Sequence, residues 1–430
     1  VKPLVRSFAV LACVAAASLL AGATPVSSQS AGPVNCDKCH GDRAFIERRR
    51  DAGRTDTAMF VPSAALRETA HGKLSCAECH VGYGDGYPHA AAVKVVPCRT
   101  CHEQAGKDWS ASVHAPNATT TGDAPNCAGC HGTHLVYPST DRRSTTHPLN
   151  VAETCGRCHA DDRIIGTYFS TVAKTQARTA VAQYYQTVHG HALNAAGLIV
   201  SATCNDCHRA HKVLPADSPE SSINRRNIPS TCGACHEGVS EVYDKSAHGV
   251  AQTRADTNST GHSAPVCTDC HSAHGIVRAD EPQWHVGVVE ECGTCHEKLY
   301  ETYLETYHGK VNRLGSSLAA TCADCHTPHD MRLATDTASS VYVGKLVVTC
   351  QKCHAMANAQ FVKFSPHADP RDRAKNPQLY WTWLFMNLLL MGVMGFFGIH
   401  TLLWLTRLSI DYARARRGAG QGNDKPGSSA

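Results

Sequence analysis

Aromatic side chains are scarce in this sequence: they make up 6% of 430 residues, and only 9 are Phe. A chain of this length has room for two or three ordinary domains, whose cores would be built from the large apolar residues it lacks. Something other than its own side chains must fill the interior. Solitary cysteine is nearly absent too, since Cys13 alone stands outside a pair. A strong excess of charge is also missing: the formal net charge is +4, with 18% of residues charged. That balance gives no support to nucleic-acid binding.

Cysteine itself is plentiful, with 23 residues, far above the level of a reduced cytosolic protein. This points to a compartment outside the cytosol and to a bound cofactor. Apart from Cys13, all fall into C-x-x-C pairs followed at once by histidine. The first four motifs are Cys36/Cys39/His40, Cys76/Cys79/His80, Cys98/Cys101/His102 and Cys127/Cys130/His131. Then come Cys155/Cys158/His159, Cys204/Cys207/His208, Cys232/Cys235/His236 and Cys267/Cys270/His271. The last three are Cys292/Cys295/His296, Cys322/Cys325/His326 and Cys350/Cys353/His354.

C-x-x-C-H is the attachment motif of c-type haem. Two thiols at this spacing form thioethers to the two vinyl groups of one porphyrin, and the next histidine reaches the iron from one face. Zinc ribbons and thioredoxin-like motifs share the C-x-x-C but do not require the histidine. A disulfide framework does not require it either. Eleven motifs, each with its histidine, therefore predict eleven covalent haems.

The two ends predict a location. Residues 1–30 read as a cleaved secretory signal: a basic start at Lys2 and Arg6, the apolar run Phe8–Ala21, then small residues at Ala21–Ala23. Cys13 lies in that run and leaves with it. No cysteine follows the small residues, so a lipid anchor is not expected. A second apolar segment, Leu379–Leu405, has 27 residues and no charge between Tyr380 and Thr406. It is long enough to cross a bilayer with some tilt. Tyr380, Trp381 and Trp383 mark one interface and Trp404 the other, and Arg407, Arg414, Arg416 and Arg417 follow as a cytoplasmic positive cluster. The alternative is a buried core helix. The expected layout is a periplasmic haem domain over 31–372, a linker over 373–378, a transmembrane helix over 379–406 and a basic, disordered cytoplasmic tail over 407–430.

An internal repeat supplies candidates for the second iron ligand. Sixteen histidines lie outside the motifs. Six with the pattern [ST]-x-His are His71, His114, His189, His248, His308 and His367. The first five each open a unit with two motifs. Within each unit another histidine follows the first motif: His89, His134, His211, His274 and His329. Six and five match the eleven motifs. His147, His191, His262, His285 and His400 are left over; the first four do not recur at equivalent positions and read as surface or haem-edge residues, with His191 the nearest substitute for His189.

Spacing also bears on which haem each histidine serves. The stretches from His236 to His248 and from His296 to His308 read as helices, and twelve helical residues span roughly 18 Å. Such a helix cannot put its two ends on opposite faces of one iron. His131 and His134, one turn apart on a helix, would point the same way. Each second histidine should therefore serve a haem attached at a different motif, interlocking the haems. The insertion between His159 and His189 reads as one long helix.

The pattern over residues 36–367 resembles the doubled-CXXCH multihaem cytochromes c. That resemblance implies a mainly α and irregular fold with a haem-packed core, little or no sheet, and bis-histidine low-spin haems that pass electrons along a chain. The single membrane helix also resembles the NapC-type quinol dehydrogenases, whose anchor is usually N-terminal. The segment Phe396-Phe-Gly-Ile-His-Thr-Leu-Leu-Trp-Leu405 looks like the anchor of multihaem c subunits that pair with a separate membrane cytochrome b. By that resemblance a quinol-oxidising partner feeds electrons to the haem nearest the membrane, that of Cys350/Cys353/His354, and periplasmic redox proteins receive them. His400, the one ionisable residue of the span, either meets the partner or reaches interfacial water beside Trp404. Gly392, Gly395 and Gly398 allow another helix to come close.

An electron carrier is the first reading. The alternative is a terminal reductase of nitrogen or sulfur oxyanions, which needs an open axial position and a cationic pocket near Arg48–Arg50 or Arg142/Arg143. Those arginines equally suit haem propionates. A self-assembling haem filament is a third class. Without the signal the chain is near +2, and eleven ferric haems with ionised propionates bring it to about −9, so partners should present basic patches.

Overall fold

The computed structural model describes residues 35–51, 59–83, 89, 94–116, 124–169, 171–254 and 263–420. The expected signal segment, His262 and the last ten residues lie outside them. Two compact units divide the chain. One holds the residues up to Thr100 with His134–Val136; the other holds Cys101–Thr133 and everything from Tyr137 onward.

The described residues are mainly short helices with no sheet, only an isolated bridge between His80 and Val95. Apolar packing is thin. Among the described residues fourteen apolar side chains are buried, and four of these are alanine. Burial on this scale is too small to hold so long a chain, because a core residue contributes about 1.5–3 kcal/mol against an ordering cost of similar size per residue.

Local rules shape the repeat. The first motif of each of the last four units forms one helical turn: Cys127–His131, Cys204–His208, Cys267–His271 and Cys322–His326. The next residue always has positive φ: Gly132 at 81°, Arg209 at 67°, Ser272 at 59° and Thr327 at 61°. Glycine adopts this region freely, whereas the other three are strained there. This break corrects one expectation. His131 and His134 do not share a helical turn, and neither do their counterparts, because the helix stops at the motif histidine.

Two further helix expectations are corrected. The stretch from His236 to His248 is two helices, Glu237–Asp244 and Ala247–Arg254. The stretch from His296 to His308 is likewise Glu297–Leu304 and then a helix beginning at Tyr307. The break falls at Ser246 and Thr306, whose hydroxyls accept from the Gly249 and Gly309 amides at 3.0 and 3.1 Å. A capping hydroxyl starts a new helix rather than continuing the old one. Between His159 and His189 there are also two helices, Asp162–Tyr168 and Thr171–Gln186.

The C-terminal helix Pro377–Gly420 has 44 residues and starts with proline at its first position, where the missing N–H costs nothing. At about 1.5 Å per residue it is roughly 66 Å long, more than twice a bilayer's hydrocarbon core. Its most apolar 18 residues have a mean hydropathy of 1.9, and none of that window is buried. The helix is long and apolar enough to span a membrane.

Candidate functional site

Ten motif histidines each lie opposite one histidine from outside the motifs. His40 faces His89 at 6.4 Å between ring centres, and His80 faces His134 at 6.0 Å. His131 faces His211 at 6.0 Å, His159 faces His114 at 6.2 Å, and His208 faces His274 at 6.0 Å. His236 faces His189 at 6.1 Å, His271 faces His329 at 5.9 Å, and His296 faces His248 at 6.2 Å. Last, His326 faces His367 at 6.3 Å and His354 faces His308 at 6.0 Å. His71 and His102 complete the set of twenty-two.

This spacing has a physical meaning. With a metal–nitrogen bond of about 2 Å and about 1.1 Å from nitrogen to ring centre, two imidazoles on opposite sides of one ion lie about 6.3 Å apart. The ten pairs span only 5.9–6.4 Å, although their interplanar angles range from 16° to 71°. Packing faces would fix the angle; a shared central atom fixes the distance instead.

Among the described residues no group of three or more His, Cys, Asp or Glu is placed to hold a metal ion. A closed zinc site needs four protein ligands. Two histidines per site suit a metal whose other positions are filled by a macrocycle. The thiols agree: none of the described motif cysteines is in a disulfide, and all are at least partly accessible.

The sequence assigns both cysteines of a motif to haem alike, but in six of the eleven motifs the structure exposes the second more than the first. First cysteines are half-buried, except the exposed Cys98 and Cys127. Among second cysteines, Cys39, Cys79, Cys101, Cys207, Cys235, Cys270 and Cys353 are exposed, and Cys130, Cys158, Cys295 and Cys325 are half-buried. The cause is local. Cys39, Cys79 and Cys158 fall in the last turn of the helices Asp37–His40, Cys76–Cys79 and Pro148–His159. Cys235, Cys295 and Cys353 fall just past helices that end at Gly233, Gly293 and Gln351. Helix ends leave carbonyls without intrahelical partners and turn toward water, and the exposed Cys39, Cys79, Cys235 and Cys353 turn with them.

Between motifs, first cysteines lie close enough to interact: Cys36 with Cys76, Cys155 with Cys204, Cys232 with Cys267, and Cys292 with Cys322. Cys39, Cys79, Cys158, Cys235, Cys295 and Cys353 are not members of these four pairs. Four of these six instead lie near the other motif of their own unit. Burial, and then repulsion from the unit's second-motif thiols, raises Cys130 beside Cys158, Cys207 near Cys235, Cys270 near Cys295 and Cys325 near Cys353. Cys207 and Cys270 are pushed up to about 11.

Burial disfavours the charged form of thirteen of the facing imidazoles. Burial pushes His208 down to about 4 and also lowers His114, His131, His134, His159, His189, His248 and His274. The same cause lowers His271, His308, His326, His329 and His367. Neutral imidazole is the form that binds iron.

The pairing follows one rule. A unit's opening histidine, as at His114, His189, His248 and His308, faces the second motif of its own unit. The histidine between motifs, as at His134, His211, His274 and His329, faces the first motif of the unit before. Backbone bonds mark the same junctions: Ala70, Val113, Val188 and Ala247 donate to the carbonyls of Val136, Val213, Ile276 and Met331, at 2.7 to 2.9 Å. His367 has the local pattern of an opener but faces a first motif, so it acts as the between-motif histidine of a unit that is not there. Its Nδ1 lies 3.3 Å from the buried Thr302 hydroxyl.

A latch that escaped sequence reasoning stands beside four of the five openers, His114, His189, His248 and His308. Five residues before the histidine stand Trp109, Tyr184, Tyr243 and Tyr303. They donate to the carbonyls of Pro125, Ala202, Pro265 and Ala320, each two residues before a first-motif cysteine, at 2.8 to 3.2 Å. Burial raises the Tyr243 phenol to about 12 and also raises Tyr184 and Tyr303. The recurrent pattern [WY]-x-x-[ST]-x-His was the available signal.

The leftover histidines behave differently. His147 is not a surface residue: it is 4% exposed, and its Nδ1 accepts from the Leu149 amide to cap the helix Pro148–His159. His285 lies 3.1 Å from Asp324, and His191 is exposed. Of the arginines considered for a cationic pocket, Arg50 pairs with Asp51 and Arg143 with Asp141.

Helical C-x-x-C-H turns, facing histidines and a thin apolar core are the features of a multihaem c-type cytochrome. Residues 44–148 match the family model of the class III cytochrome c family, about a quarter of the chain. That match implies covalently bound haem c and suggests electron transfer; with the C-terminal helix it suggests a membrane-anchored periplasmic protein. No curated protein and no solved structure matches the chain.

Proposed function

We propose that the chain is a membrane-anchored electron carrier with eleven c-type haems, each held between two histidines, facing the periplasm. The observation that carries this reading is the recurrence of one ring separation in ten histidine pairs, each containing one C-x-x-C-H histidine. Haem, when bound, supplies an iron that accepts and returns one electron. Both cysteines of a motif would hold the edge of the macrocycle through thioethers. The two facing imidazoles would hold the iron from its two sides. A haem held in this way would leave no position for substrate, which favours a carrier over a reductase.

Neighbouring motifs are close enough to form a path. Each first-cysteine contact joins consecutive motifs, and those of Cys155 with Cys204, Cys232 with Cys267 and Cys292 with Cys322 join consecutive units. At the C-terminal end the Phe361 ring lies 5.0 Å from His354. Only residues 368–376 separate His367 from the long helix, and Arg373 sits over Trp381 at 5.0 Å. Electrons thus enter at the last two haems from a membrane cytochrome b or another quinol-oxidising subunit, which His400 contacts, and leave to periplasmic or extracellular acceptors.

Ferric EPR of the detergent-solubilised holoprotein tests this reading. It should show low-spin haem throughout; a high-spin signal of one haem per chain would overturn the carrier in favour of a reductase.

A further inference from the structure

The motifs differ in one respect that their haem-binding role does not require. In four first motifs the residue just before the second cysteine is acidic: Glu78, Asp206, Asp269 and Asp324. Each carboxylate is held in place. Glu78 accepts from the Ser75 amide at 2.6 Å, and Asp206 from the Thr203 amide and hydroxyl at 2.7 and 2.8 Å. Asp269 accepts from the Val266 amide at 2.6 Å, and Asp324 from the Thr321 amide and hydroxyl at 2.7 Å. Second motifs hold no acid between their cysteines, and three carry a cation there: Arg99, Arg157 and Lys352.

Two of the carboxylates meet a cationic or ionisable partner from the preceding unit's second-motif segment. Arg225 grips Asp269 at 2.7 and 2.9 Å, and His285 lies 3.1 Å from Asp324. Arg225 and His285 both stand seven residues before a second-motif cysteine. The same place before Cys155 holds Pro148, and Asp206 has no ion pair among the described residues.

These fixed charges sit in the helical turns of the motifs, where the haem edges would attach. Ferric haem has one more positive charge than ferrous haem, so a nearby carboxylate favours the ferric form and lowers the potential, and a cation raises it. We propose that this alternation sets the potentials along the chain. In the four units that have one, the first-motif haem bearing a carboxylate is the low-potential member and the second-motif haem the high-potential member, and Arg225 offsets the effect at Asp269. A single electron in a unit then rests on the second-motif haem. This rests on the haem-chain reading above.

The test is potentiometry of the full-chain holoprotein, followed by haem absorbance, with Asp206→Asn and Arg225→Gln compared with wild type. Asparagine keeps an acceptor for the Thr203 amide while removing the charge. One haem equivalent should move to more positive potential in Asp206→Asn, and one to more negative potential in Arg225→Gln. Unmoved potentials, or shifts of the reverse sign, in variants that keep their haem count and low-spin spectra would overturn the proposal. Should Asp206→Asn lose its haem, Arg225→Gln, outside any motif, decides by itself. A wild type without covalent haem would instead sink the underlying reading.

Discussion

Gly249 follows the opening histidine His248, and adding one methyl group there should detach that histidine from its haem. A Cβ at Gly249 would lie 2.1 Å from the Tyr243 carbonyl oxygen and 2.8 Å from the Asp244 Cα, where real Cβ contacts are at least 3.0 Å. The helix start must retreat by about 0.9 Å. It is pinned from the other side, because the Ala247 amide donates to the Met331 carbonyl of the next unit at 2.7 Å. Metal–ligand bonds tolerate errors of about 0.2 Å, so a shift several times larger takes the His248 imidazole off the iron. Gly249→Ala should therefore give a high-spin ferric EPR signal equal to one haem in eleven, from the haem of Cys292/Cys295/His296. Gly238→Ala is the control, since nothing lies within 4 Å of its Cβ. In a helix it should leave the spectrum unchanged and raise stability by up to about 1 kcal/mol. A fully low-spin Gly249→Ala protein would refute the reasoning.

Tyr303→Phe removes the hydroxyl that bonds Ala320 at 2.9 Å and leaves a carbonyl without its partner, so the denaturation midpoint should fall by the equivalent of about 1–2 kcal/mol, while the exposed Tyr185→Phe changes it little. His367→Ala should convert one haem, that of Cys322/Cys325/His326, to high spin, whereas His191→Ala converts none; equal spectra would count against His367 as a ligand. Reporter fusions after Gly418 should behave as cytoplasmic, because the arginines after the span follow the positive-inside rule; periplasmic behaviour would reverse the orientation.

Much of the site was legible because haem attachment is written in contiguous residues. C-x-x-C-H is local, and the apolar C-terminal segment is local too. Counting repeat-matched histidines also gave a set of which ten members, His71 apart, lie opposite motif histidines. The pairing rule was less accessible. His367 shares Ser-x-His with the openers, yet it faces a first motif, because its place is set by the end of the repeat rather than by its neighbours. The inequality of the two cysteines was hidden as well. Nothing in C-x-x-C says that Cys235, Cys295 and Cys353 follow a helix end, or that Cys39, Cys79 and Cys158 sit in a last turn. Helix continuity was misjudged where Ser246 and Thr306 offered hydroxyls to amides further along. The positive φ of Arg209, Ser272 and Thr327 left no glycine to announce it, unlike Gly132. His147 looked like a stray surface residue because a histidine cap has no strong sequence signature. The aromatic latch was visible in principle, but only after the openers had been aligned on their histidines.

Intact mass spectrometry of the denatured, mature chain tests the central claim most directly. Thioether-bound haem survives denaturation, so the mass should equal the processed polypeptide plus eleven haems, with no thiol left to alkylate. A mass corresponding to ten or fewer haems in fully matured protein, or any alkylated motif cysteine, would contradict it.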